Sequence, residues 1–236
     1  MKNCKAIIFD LGGVILNIDY RLTIAAFNEL GVKNADFFYS KKIQNPIFDK
    51  IEIGEITANS FLEHLQKQTN NASIYEVENA WNTMLLDLPQ RRLDCIKKLK
   101  KNYKIFLLSN TNEIHIKAFR KKIGEKQWEA FSSLFDKMYL SHQIGFRKPG
   151  KEAFQIILEE NKLKPNEVFF IDDSTQHIEA AKKLGINCHY ISAGGRNLQP
   201  VLEDFYLYPL SFFKKRPYSF GKKLKYGNNK ILFERK

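Results

Sequence analysis

Five apolar runs of strand length are spaced along this chain, and polar residues close most of them before a helix-type pattern takes over. They lie in KAIIFDLGGVIL (5–16), YKIFLLSN (103–110), KMYLSH (137–142), EVFFIDD (167–173) and INCHYIS (186–192). A run without polar alternation suits a strand buried on both faces, which is the condition of a parallel sheet. Between the later runs stand PQRRLDCIKKLKKN (89–102), EIHIKAFRKKI (113–123), PGKEAFQIILEEN (149–161) and TQHIEAAKKLG (175–185), each with one apolar stripe at helical spacing. Strand and helix in alternation predict an α/β fold: a mostly parallel sheet with helices on both faces. Hydrophobic residues make up 44% of the 236, enough for a full core in one or two domains.

Residues 20–87 break the alternation. RLTIAAFNELG places Leu22, Ala25, Ala26, Phe27 and Leu30 on a helix that Gly31 stops. TANSFLEHLQKQ gathers Phe61, Leu62 and Leu65 on one face, and SIYEVENAWNTML opens with Ser73 and Glu76 in the spacing of a capping box. No strand signal interrupts them, so a small helical bundle is expected to be inserted after the first strand. The expected division is a core of residues 1–18 and 88–203, a helical insert of 19–87 and an extension of 204–236. Trp81 and Phe61 read as core of the insert.

In sheets of this kind ligands sit beyond the carboxyl ends of the strands, so the residues that end each strand are the informative ones. The first run ends at Asp10, the second at Ser109-Asn110-Thr111-Asn112, and the fourth at Asp172-Asp173-Ser174; Arg147-Lys148-Pro149 follow the third. Acids gathered at one rim repel each other unless a cation intervenes. Mg²⁺ suits one or two carboxylates completed by water and phosphate oxygens. Asp10 and Asp172 form the natural pair, with Asp173 either beside them or capping the helix that follows, the latter being the expectation. Ser109 offers a hydroxyl to a phosphate oxygen, and Lys148 neutralises both the phosphoryl group and Asp10. The chemistry this permits is in-line attack by Asp10, an aspartyl-phosphate, and its hydrolysis. His115, His142 and His177 have no metal-ligand spacing and read as helix or loop residues, and Arg147 as surface.

The motifs FDLGGV, LLSNTN, RKP and FFIDDS, in that order, resemble the four motifs of the haloacid dehalogenase superfamily, and the helical insert is similar to its C1-type cap. The resemblance spans about residues 5–200. FDLGGVILNID with LSNTN is most similar to the branch of bacterial α-D-glucose-1-phosphate phosphatases and the phosphatase domain of soluble epoxide hydrolases. It implies a Rossmann-like core, a Mg²⁺ cofactor and hydrolysis of a small phosphorylated metabolite, with a sugar phosphate as one candidate. By the same resemblance Asp10 is nucleophile and metal ligand, Ser109 and Asn110 meet the phosphate, Lys148 is the charge clamp, Asp172 is a metal carboxylate and Gly12 lends its backbone carbonyl to the metal. FDKIEIGEIT resembles a cap segment of that branch, with Glu52 and Glu55 about the Gly54 turn.

Gly12 is also the departure. Most phosphatases of the superfamily carry there an Asp that protonates the leaving group and then activates water. Losing general acid–base catalysis typically costs a factor of about 10²–10⁴, less than the whole acceleration of an enzyme. The replacements in view are a cap side chain, a substrate hydroxyl, a metal-held water, or Asp19, the nearest acid in sequence. The alternative is a catalytically weak phosphate-binding or regulatory protein.

The net charge of +12 invites a nucleic-acid reading, but +8 of it sits in residues 214–236, and the remainder carries only +4. Contact of that basic, aromatic extension with nucleic acid or an anionic surface is possible and not favoured. No apolar stretch approaches the roughly 18 residues of a membrane helix. Cys4, Cys95 and Cys188 lack metal spacing and read as thiols of a reducing compartment, so the cytoplasm is the expected location.

Overall fold

The computed structural model describes residues 3–33, 35 and 46–191. The extension and its nucleic-acid contact therefore lie outside the described residues. Among the described residues five parallel strands form one sheet: β1 (Ala6–Phe9), β2 (Lys104–Ser109), β3 (Lys137–Leu140), β4 (Val168–Asp172) and β5 (Asn187–Tyr190), in the spatial order β3-β2-β1-β4-β5. Ile8 pairs with Phe106 on one side and Phe170 on the other, so β1 is the central strand. The chain leaves β1 toward β2 and β3, then returns across it to β4 and β5. The carboxyl end of β1 is thus the topological switch point, where such sheets bind ligands.

The side-chain period of two divides the strands between two cores. Ile7, Phe9, Ile105, Leu107, Phe169 and Ile171 face one cluster, which the helices α5 (Gln90–Leu99), α6 (Glu113–Ile123) and α7 (Glu125–Ser132) complete. Ala6, Ile8, Phe106, Leu108, Val168 and Phe170 face the other. That cluster is closed by α9 (Glu152–Glu160) and α10 (Thr175–Lys183). The continuous apolar runs exist because both faces are covered.

Among the described residues four helices stand between β1 and α5: α1 (Tyr20–Glu29), α2 (Pro46–Glu52), α3 (Ala58–Gln66) and α4 (Ile74–Asn82). They share their own cluster, in which Trp81 stacks on Phe48 at 5.5 Å between centroids and meets Phe61 edge-on at 4.8 Å. Ile114 of α6 joins it, which ties the insert to the core. The Ser73–Glu76 capping box forms: the Glu76 N–H donates to Ser73 Oγ, and the Ser73 N–H donates to Glu76 Oε2 at 2.7 Å.

Three local readings change. On α1 the buried positions are Thr23 and Phe27, while Leu22 is 42% exposed. Thr23 is drawn inward because its hydroxyl lies 3.3 Å from the Trp81 carbonyl and accepts the Met84 N–H at 3.2 Å. Ser141 and His142 leave the third strand and begin a short helix, α8 (Ser141–Ile144), because the Ser141 hydroxyl, fully buried, donates to the Thr111 carbonyl and accepts the Thr111 N–H. Gly124, at φ +80, breaks the chain after α6 and lets α7 start at once.

Candidate active site

Three strand ends meet at the switch point. Asp10 follows β1, its N–H donating to the Ile171 carbonyl of β4 at 3.0 Å, so strand pairing fixes the backbone at the acid itself. Ser109 ends β2 and Asp172 ends β4, both buried. Lys148 arrives from the α8–α9 loop with no exposed surface, and its Nζ lies 2.7 Å from both Asp10 Oδ1 and Asp172 Oδ2. Asn110 explains how a lysine is held there. Its side-chain amide donates to the Lys148 carbonyl at 2.8 Å and accepts the Lys148 N–H at 2.9 Å. The Asn110 side chain thereby positions Lys148.

Asp173 joins Asp10 and Asp172: a carboxylate oxygen from each lies within 4.8 Å of the others. The expectation that Asp173 caps α10 is corrected. Ser174 is the N-cap, and its N–H donates to Asp172 Oδ1 at 2.7 Å. A missed residue completes the arrangement. His177 Nδ1 lies 3.0 and 3.1 Å from the two Asp172 oxygens. Its signal was position: the third residue of a helix that starts just past a strand-ending acid folds back over that acid.

One buried ammonium faces three carboxylates. Burial, with Asp172 and Asp173 nearby, outweighs Lys148 and raises the Asp10 carboxyl above its ordinary range. Burial also works against the Asp172 anion, but Lys148 and His177 outweigh it and hold that group low. The two acids titrate as a coupled pair in which Asp172 keeps its charge first.

The glycines differ in kind. Gly13 has φ +77, and a Cβ there would collide with the Asp173 carboxylate, so its lack of a side chain is enforced. A Cβ on Gly12 would meet only the end of the Ile18 side chain, at 2.9 Å. No acid takes its place from Asp19, which caps α1: its Oδ1 accepts the Arg21 N–H at 3.0 Å and the carboxylate pairs with the Arg21 guanidinium.

Above this floor lies a cavity of about 570 Å³, within the range of small-molecule sites. The core supplies Asp10, Gly12, Ser109, Asn110, Lys148 and Asp173; the insert supplies Tyr20, Ile24, Phe48, Glu52, Trp81 and Met84. Trp81 is thus both core and cavity wall, and it stacks on His115 of α6 at 4.8 Å and 14°. Arg147 is not a surface residue: its side chain is 23% exposed and pairs with Asp49 and, at 2.8 Å, with Glu52. Glu55 and His142 are outside the cavity lining.

A doubly covered parallel sheet, with an acid after its central strand and a lysine bridging two strand-end carboxylates, defines an α/β protein with a charged site at its topological switch point. The chain belongs to the haloacid dehalogenase-like hydrolase family, which it matches over residues 4–185. It is 34% identical to a D-ribitol-5-phosphate phosphatase of Bacteroides thetaiotaomicron over 77% of this chain and 88% of that one. A haloacid dehalogenase family enzyme from Bacteroides thetaiotaomicron, solved in complex with magnesium and inorganic phosphate, superimposes with a TM-score of 0.74. Its identity is 33%, and the match covers 84% of this chain and 98% of that one. A bifunctional epoxide hydrolase 2 of Sus scrofa is 24% identical over 77% of this chain and 35% of its own length. Among the described residues no helix is long and apolar enough to cross a membrane.

Proposed function

We propose that the protein is a Mg²⁺-dependent phosphatase of a small phosphate monoester, a sugar or polyol phosphate, acting through an aspartyl-phosphate on Asp10. The observation that carries this reading is the Lys148 ammonium, buried and 2.7 Å from both Asp10 and Asp172. The similarity to a D-ribitol-5-phosphate phosphatase supports the substrate class.

The residues suit the metal. Three carboxylates against one ammonium leave excess negative charge in a buried place, and an oxygen-only donor set fits a hard divalent cation. Asp10, the Gly12 carbonyl and Asp172 would hold it, and when bound it supplies positive charge that offsets the phosphate and its attacker. The chain's own residues do the rest. The Asp10 carboxylate attacks phosphorus. The Ser109 hydroxyl and the backbone N–H groups after β2 bind phosphate oxygens. Lys148 offsets the charge of both reactants and keeps Asp10 aimed. The insert, which we read as a cap over residues 19–87, walls the cavity and excludes water.

The test is phosphate release from D-ribitol 5-phosphate and a panel of sugar and polyol phosphates, with Mg²⁺ and with excess chelator. Many turnovers that cease on chelation are expected. Binding without turnover across the panel would instead favour a phosphate-binding protein.

A further inference from the structure

Gly12 leaves the leaving-group proton without a donor. If the phosphate rests on the floor of Asp10, Ser109 and Lys148, the alcohol it esterifies extends toward the wall built by the insert. A substitute donor must line that wall and carry an exchangeable proton near neutrality.

Among the described residues the ionisable groups facing the insert's side of the cavity reduce to one; His177 and Tyr190 also line the cavity, but from the core, and His177 is taken up by Asp172. His115 is stacked on Trp81, and burial lowers its ring to about 4, so at neutral pH it holds no proton to give beyond its neutral N–H. Tyr20 is 41% exposed, and burial of its hydroxyl end together with the carboxylates of Asp173, Asp10 and Glu52 raises it above the ordinary phenol range, which makes it a poor acid. Arg147 is engaged by the Asp49 and Glu52 carboxylates. Glu52 remains, at the C-terminal end of α2.

We propose that Glu52 of the insert is the general acid and base of the reaction, replacing the carboxylate absent at Gly12. This rests on the phosphatase reading above. The geometry favours the role in three ways. Glu52 lines the same cavity as Asp10 and Lys148, and 22% of its side chain is open to solvent, so a substrate can reach it. Its Oε2 lies 2.8 Å from Arg147 Nε, and Arg147 directly precedes Lys148, which couples the carboxyl to the phosphate floor. Gly54, two residues on at φ +74, lets this end of α2 approach the core so closely that a Cβ would collide with the His142 carbonyl. Burial, opposed by Arg147 and Lys148 and assisted by Asp49, raises the Glu52 carboxyl to about 7, where it can both give and take a proton under neutral conditions.

The steps balance. Asp10 Oδ forms a bond to phosphorus while the ester P–O bond breaks, its electron pair passing to the alcohol oxygen. Glu52 gives that oxygen its proton and becomes a carboxylate facing Arg147. Water then attacks phosphorus; Glu52 takes the water proton as the bond from phosphorus to Asp10 breaks, releasing phosphate and restoring both carboxyl groups.

The test compares two leaving groups in the Mg²⁺-loaded enzyme and its Glu52→Gln variant. The alcohol of D-ribitol 5-phosphate needs a proton to depart, whereas p-nitrophenolate departs without one at neutral pH. The expected result is a fall in kcat/KM of about 10²–10⁴-fold for ribitol 5-phosphate and of less than about tenfold for p-nitrophenyl phosphate. The second substrate also reports that the variant is folded. Equal losses on both substrates, or no loss on the first, would overturn the role of Glu52 and leave the phosphatase reading standing. A wild-type enzyme that released phosphate from neither would overturn both.

Discussion

The floor and the wall of the cavity are made on different principles. On the floor, Asp10, Ser109 and Asp172 are strand ends, held by the β1–β2 and β1–β4 pairing, and one buried lysine bridges two of the acids. On the wall, Trp81, Phe48 and Tyr20 come from three different helices; Trp81 and Phe48 stack on each other, and the contacts of Arg147 with Asp49 and Glu52 fasten α2 to the core. The difference teaches that the chemistry common to a fold sits on the element that cannot move without breaking a sheet. The insert's part of the lining sits mostly on helices held by side-chain packing.

Breaking the floor is expected to have the largest effect. Lys148→Met leaves Asp10 and Asp172 facing each other without their cation. Removing one partner of a buried ion pair costs about 3–5 kcal/mol, and loss of a preorganised charge at the reacting group costs about 10²–10³ in kcat. Thermal unfolding and phosphate release measure the two.

Breaking the wall strikes stability and substrate binding more than the chemical step. Trp81→Ala removes the residue shared by Phe48, Phe61 and His115 and should cost about 3–5 kcal/mol. KM should rise more than kcat falls, which steady-state kinetics resolves; a selective loss of kcat would place Trp81 in the chemistry instead.

At the join between the two regions the effect should be small. Asp19→Ala removes the N-cap of α1 and should lower the thermal midpoint slightly, with kcat unchanged. A fall in kcat at unchanged KM would make Asp19 the missing acid.

The same contrast explains what the sequence alone could convey. Asp10, Ser109, Lys148 and Asp172 were legible because each ends or follows an apolar run, and parallel strands align their ends. Asp172 and Asp173 stand adjacent in sequence, and only the backbone direction at the start of α10 decides that Asp172 receives the Ser174 N–H while Asp173 turns to the acid cluster. Arg147 reads as a surface residue until α2, almost a hundred positions earlier in the chain, is packed against it. Thr23 displaces Leu22 from the buried face of α1 for a similar reason: its partner, the Trp81 carbonyl, lies 58 residues away. Contacts of that range have no local periodicity to announce them.

Phosphoryl capture by Asp10 is the step most directly open to measurement. The measurement is single-turnover hydrolysis of a ³²P-labelled ester, with Mg²⁺, by the wild type and by Asp10→Asn, followed by acid quenching and mapping of the labelled peptide. The prediction is a transient acyl phosphate on the peptide containing Asp10 in the wild type. Turnover by Asp10→Asn should fall on the order of 10⁴-fold or more, the scale of nucleophile loss. Unaltered turnover by Asp10→Asn, or label on another residue, would contradict it.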